Sequence, residues 1–111
     1  MTNRVQIPPK RLGETVILGA NGNSPFNFIS SLGPTETIAT AVVTCTVYSG
    51  TDLAPAAVIN GVAATIVGQQ VQQKVTAGVL GVIYELACSV LTSLGQTLEL
   101  VGYMAVIPDL P

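Results

Sequence analysis

The chain has 111 residues, 49% of them hydrophobic and only 9% charged, with a formal net charge of −2 and neither His nor Trp. That length suits one domain able to bury its own core. The lack of His removes the commonest general base, nucleophile activator and metal ligand, and four basic residues provide no stripe for nucleic acid.

The few charges are segregated. Arg4, Lys10 and Arg11 fall in the first eleven positions, and only Lys74 follows them, against Glu14, Glu36, Asp52, Glu85, Glu99 and Asp109. Residues 1–25 show no sustained hydrophobic period and read as an extended arm preceding a domain at 26–111. Pro8-Pro9 imposes a short extended stretch without amide donors. Thr15 to Leu18 is expected to form a brief edge strand, and Gly19 to Pro25 is loop chemistry. A basic arm on an acidic body suits docking onto a neighbour, such as a second copy, while an ordinary solvated tail is the plainer alternative. The residues expected to make that contact are Arg4, Val5, Ile7, Pro8, Pro9, Lys10, Arg11 and Leu12. The opening MTNRVQIPPKRLG lacks the apolar stretch of a secretion signal, which predicts a cytosolically made chain. No membrane-spanning helix is expected, because the uncharged runs are interrupted by Pro55, Gly61 and Gly68 and are rich in Val and Thr.

Phe26 to Ile29 reads as a short aromatic strand followed by a Gly33-Pro34 turn. In Glu36 to Tyr48, Ala39, Ala41, Val43, Cys45 and Val47 share one face, and Thr40, Thr44 and Thr46 share the other with Ile38, Val42 and Tyr48. β-Branched residues this dense favour strand over helix. Asn60-Gly61, flanked by Ala57-Val58-Ile59 and Val62-Ala63-Ala64, predicts a two-residue hairpin. Gln69 to Thr76 is a polar strand with Val71 and Val75 on its apolar side.

Gly81 to Ile107 forms the predicted core hairpin around a Ser93-Leu94-Gly95-Gln96 turn. Val82, Tyr84, Leu86, Cys88 and Val90 alternate with Ile83, Glu85, Ala87, Ser89 and Leu91, the pattern of a half-buried strand. Gly102 marks either a bulge or a close backbone approach. About seven strands in all predict an all-β, immunoglobulin-like antiparallel sandwich, with a small barrel or jelly roll as the alternative. In that sandwich Cys45 and Cys88 would point inward from facing sheets, as free thiols in a reducing compartment. Tyr84 opens its strand where a tyrosine-corner residue would stand.

The inventory is poor in reactive groups. Triads built on His are excluded, and two Cys without a CxxC spacing or His make no zinc site. Glu85 and Glu99, on adjacent predicted strands, are the only candidate carboxylate pair, with two solvated surface acids as the plain reading. No Gly-rich loop stands ready for a phosphate. No enzyme activity, cofactor, metal or small-molecule substrate is expected.

From Phe26 onward the order of motifs resembles that of short structural proteins of tailed-bacteriophage virions with immunoglobulin-like folds. It runs Phe26-Asn27-Phe28, Glu36-Thr37-Ile38-Ala39-Thr40, Ser49-Gly50 and Ala77-Gly78-Val79-Leu80-Gly81-Val82-Ile83-Tyr84, then Ser93-Leu94-Gly95-Gln96-Thr97 and Gly102-Tyr103-Met104-Ala105-Val106. The Trp common in those proteins at the first loop and central strand is replaced by Phe28 and Val43, and the Arg of their closing strand is missing. The resemblance implies a non-enzymatic virion component, assembled in the host cytoplasm. Such a component would serve in decoration, stabilisation or fibre attachment. Residues 1–25 have no counterpart in the family; their own basic, Pro-Pro and apolar character is what predicts an arm anchoring the chain to capsid, portal, adaptor or tail proteins or to copies of itself. The competing expectation is a β module that binds a ligand or host surface through its loops. A pilus-type secreted subunit is a third, which a Cys45–Cys88 disulfide would favour.

Overall fold

A computed structural model describes residues 3–19, 25–59 and 63–108. These residues form nine strands and one 3-10 turn, arranged as two packed sheets, a β-sandwich. The strands are β1 (Asn3–Gln6), β2 (Lys10–Arg11), β3 (Val16–Leu18), β4 (Phe26–Asn27), β5 (Ile38–Ser49), β6 (Thr65–Val67), β7 (Gln70–Val75), β8 (Ile83–Thr92) and β9 (Thr97–Ile107).

The predicted core hairpin is the centre of the larger sheet. β8 and β9 pair antiparallel without interruption from Ile83↔Ala105 to Leu91↔Thr97. β5 lies on the other side of β8, giving the order β1-β9-β8-β5, with β2 also on β9. Alternation along β8 is as the sequence predicts: Tyr84, Leu86, Cys88 and Val90 are buried and the residues between them are not. On β5 the inward face is Val43, Cys45 and Val47, but Ile38 is buried too, although its spacing places it with the exposed threonines. A register shift between Ile38 and Thr40 turns it inward.

In the smaller sheet β3, β4 and β6 all pair antiparallel with β7. Val71 and Val75 point into the core as expected, and Gln73 between them is buried as well, its amide donating to the Lys74 carbonyl at 2.9 Å. Phe26 and Phe28 fill the space between the sheets. The tight β6–β7 hairpin turns on Gly68-Gln69, where Val67 pairs with Gln70 and Gly68 has φ 61°. Gly at the first turn position is the signature of a two-residue hairpin of the II′ kind. The expected hairpin at Asn60-Gly61 lies outside the described residues, and of its flanks the described residues 57–59 and 63–64 are not in strands. Pro55–Val58 form the 3-10 turn instead, started by the fixed φ of Pro55.

Residues 3–18 are not an arm apart from a sandwich that starts at 26. β1 and β2 both run parallel to β9, along the edge that β8 leaves free. Pro8-Pro9 falls in the gap between them, where the ladder lacks amide donors. The Leu12 amide resumes the pattern, donating to the Ile107 carbonyl at 2.8 Å. β3 then crosses to the smaller sheet and pairs with β7, Val16↔Val75 to Leu18↔Gln73. The segment has no regular period because its residues serve both sheets and the edge between them.

Candidate interaction surface

The eight residues expected to grip a neighbour divide in two. Ile7 and Lys10 are buried and Val5 half-buried against this chain's own core, while Arg4, Pro8, Pro9, Arg11 and Leu12 remain exposed. Ile7 occupies the place where a side chain on Gly102 would project: a Cβ there would lie 2.5 Å from Ile7 Cδ1 and 3.1 Å from Val5 Cγ2. Of the two readings of Gly102, the close approach is the structural one, since the β8–β9 register shows no bulge there. The Lys10 ammonium donates to the Arg11 carbonyl at 2.9 Å. A small recess of about 40 Å³ beside Pro8 and Pro9, floored by Val75 and Met104, is the size of a few waters.

Arg4 leaves β1 on the opposite, outward face. Its guanidinium stands 5.5 Å from the centre of the Tyr103 ring, a cation–π distance. Tyr103 in turn meets Tyr48, reaching over β8 from β5, with ring centroids 4.3 Å apart. Around this trio the outward face carries Thr40, Val42, Thr44, Thr46, Ala87, Ser89 and Leu91, and its other charges are Arg11, Glu85 and Glu99. Sequence parity had placed Tyr48 with the threonines, but nothing in the periodicity could pair it with a ring two strands away.

The two acids on this face are not cross-strand partners. Glu85 stands opposite Tyr103, and Glu99 opposite Ser89. That separates them by four positions along the sheet, roughly 13 Å at ~3.3 Å per residue, too far for a shared proton. The cysteines also depart from expectation. Cys45 and Cys88 are inward-pointing free thiols, but they sit on neighbouring strands of one sheet, Cys45 opposite Leu86 and Cys88 opposite Val43. Such diagonal neighbours are ~7–8 Å apart, beyond disulfide reach. Burial pushes both thiols up to about 12, helped by the charges of Asp52 and Glu99 respectively.

One polar bridge ties the end of the sandwich together. The Val79 amide donates to Tyr84 Oη at 2.7 Å, the Tyr84 hydroxyl donates to Asp52 Oδ2 at 2.6 Å, and Asp52 Oδ1 accepts the Ala54 amide at 2.9 Å. The hydroxyl fastened to backbone a few residues upstream has the form of a tyrosine-corner hydrogen bond, extended here to a second loop. The Tyr84 hydroxyl holds the Asp52 carboxyl below its ordinary range, while burial and that same carboxylate push Tyr84 up to about 12. The two loops so joined display Leu53, almost wholly exposed at 98%, together with Val79 and Leu80. At the other end the Thr92 hydroxyl donates to Glu36 Oε2, and the Gly33 amide donates to Glu36 Oε1 at 3.0 Å. These donors, the hydroxyl first, lower the Glu36 carboxyl.

Among the described residues no group of three or more Cys, Asp or Glu side chains is placed to hold a metal ion, and no helix is long and apolar enough to cross a membrane. No family model, no curated protein and no solved structure matches this chain, so its resemblance to phage structural proteins rests on the motifs themselves.

Proposed function

We propose that the chain is a non-catalytic structural module that works by packing against other proteins, as a component of a tailed-phage virion. The observation that carries this reading is the outward face of the larger sheet. It is broad and regular, lined by Thr, Val and Ser, and its Arg4 is folded onto Tyr103, which meets Tyr48. Two tyrosines in contact beside an arginine suit an interface, in which Tyr and Arg are enriched.

The sandwich is of immunoglobulin type in this reading. In that fold strands B, E and D share one sheet and C, F and G the other. Here β4, β7 and β6 pair in one sheet and β5, β8 and β9 in the other, in the same chain order, and Tyr84 supplies the corner. The anchoring role of the N-terminal segment is narrower than the sequence suggests. Val5, Ile7 and Lys10 serve this chain's own fold, which leaves Arg4, Pro8, Pro9, Arg11 and Leu12 for a neighbour.

The test is the protein content of banded virus particles produced from the genome that carries this gene. The chain should band with them at a regular copy number. Recovery only from the soluble fraction would overturn the reading. The exposed Leu53, Val79 and Leu80 favour a second one, recognition through the loops at that end of the sandwich. Selective binding of the isolated protein to a host-surface or glycan array, without particle incorporation, would establish it.

A further inference from the structure

Among the described residues no strand pairs with the outer edge of β5. β5 pairs only with β8, and among the described residues no backbone hydrogen bond from it goes elsewhere. Every second N–H and C=O along its outer side therefore faces out. Edge strands are ordinarily blunted with charge, proline, bulges or a covering loop. β5 contains no Lys, Arg, Asp, Glu or Pro. Its irregularities lie at its two ends, between Ile38 and Thr40 and between Val47 and Ser49, and bracket a regular ladder from Thr40 to Val47. That stretch of eight residues is roughly 26 Å long. The 3-10 turn packs against β5, while the side chains of Thr40, Val42 and Thr44 on its outward face are exposed, Val42 by 60%. β6 lies along the same rim and adds exposed Ile66 and Val67.

We infer that this edge is a self-association seam: β5 pairs antiparallel with β5 of a second copy about a two-fold axis normal to the sheet, joining the two larger sheets into one. A strand edge is complementary only to another strand, and a two-fold axis sets like residues near like. Any charge within the segment would then face its own copy. The Thr40–Val47 segment contains none, so self-pairing costs no repulsion. Matching faces put Thr40, Val42, Thr44 and Thr46 of both copies on one side of the joined sheet, and Ala41, Val43 and Cys45 on the side of the cores. β-Branched cross-strand neighbours of this kind stabilise a sheet. The apolar rim of β6 is covered in the same step.

This seam deepens the assembly reading without depending on the virion. Its failure would leave particle incorporation to the banding experiment. Sedimentation velocity of the purified full chain should show a dimer at micromolar concentration. Val42→Lys/Thr44→Lys changes two outward, exposed side chains and sets lysine against lysine in any register centred between them. It should weaken dimerisation by roughly tenfold or more with the circular dichroism spectrum unchanged. Mixing it with Val42→Glu/Thr44→Glu should restore a dimer containing one copy of each. Hydrogen exchange gives an independent reading that needs no variant: amides of Thr40 to Val47 should become slower as the wild-type concentration rises. A wild type that stays monomeric, a dimer indifferent to the lysines, or exchange in β5 that ignores concentration would each overturn the seam.

Discussion

Ile7 stands in the space a Gly102 side chain would need: a Cβ on that glycine would fall 2.5 Å from Ile7 Cδ1 and 2.6 Å from Ile7 Cγ1. β1 and the residues after it are thereby keyed into β9, and together they close one edge of the core. Gly102→Ala should therefore cost about 1–3 kcal/mol as an overpacking change, and Ile7→Ala about 2–4 kcal/mol through the cavity it leaves. The double variant should be distinctly more stable than the sum of the singles predicts, because Ile7→Ala vacates the room the new methyl needs. Urea unfolding of the four proteins measures this coupling. Strict additivity would mean that Ile7 is not seated there. Removing residues 1–13 should likewise destabilise the sandwich itself, so it is not a clean test of partner docking.

Tyr84→Phe keeps the buried ring and removes only the hydroxyl between the Val79 amide and Asp52. Two polar groups then lose their shared partner, at a cost of about 1–3 kcal/mol. The loss should be local as well as global. Amide exchange at Val79 should accelerate in the variant more than exchange in the middle of β8. A uniform change along β8 would show that the ring alone, and not the bridge, secures this end.

How much of this was legible in the sequence depended on the range of the contacts. The faces of β8 could be read from Tyr84, Leu86, Cys88 and Val90 because period-two alternation is a local property of a half-buried strand. The glycine at 102 and the unpatterned segment containing Ile7 were each conspicuous, but the fact that they explain each other lies in a parallel pairing across almost the whole chain. Parallel edge strands as short as β1 and β2 leave no periodic trace, and Lys10 and Arg11 resemble a solvated tail until β9 is beside them. The cysteine placement failed for a related reason. Alternation fixes which way Cys45 and Cys88 point, but not whether their strands are neighbours or face each other. The Asp52–Tyr84 bridge was half visible, since a tyrosine opening a strand can be recognised and its distant carboxylate cannot.

The thiols offer a direct check of the sheet order. Both lie inside the sandwich and are pushed up to about 12, chiefly by burial, so neither is a nucleophile at neutral pH. The folded protein should be inert to a thiol-reactive dye at pH 8 and should titrate both cysteines once unfolded in guanidinium. The mass of the unreduced protein should show two free thiols even after prolonged air oxidation. Formation of an internal Cys45–Cys88 disulfide without loss of the fold would contradict their diagonal placement on adjacent strands.

Stability should fall at both ends of the pH range, for opposite reasons. Glu36 and Asp52 are held below their ordinary values of 4.5 and 3.8 by hydroxyl and amide donors. A carboxyl depressed by folding stabilises the native state above its unfolded value and loses that contribution as pH falls through the folded one. Thermal unfolding temperatures should thus decline as the pH drops below about 4.5. Glu36→Gln and Asp52→Asn should be less stable than wild type at pH 7, with gaps that narrow in acid. At the alkaline end Cys45, Cys88 and Tyr84 are raised to about 12 from ordinary values of 9.0, 9.0 and 10.0. Their contribution is complete below pH 9 and is lost as pH climbs from there toward 12, since only the unfolded chain can ionise them readily. Cys45→Ala and Cys88→Ala should flatten the first part of that decline and Tyr84→Phe the later part. A wild type whose unfolding temperature is level from pH 3 to 11 would contradict the placement of all five groups.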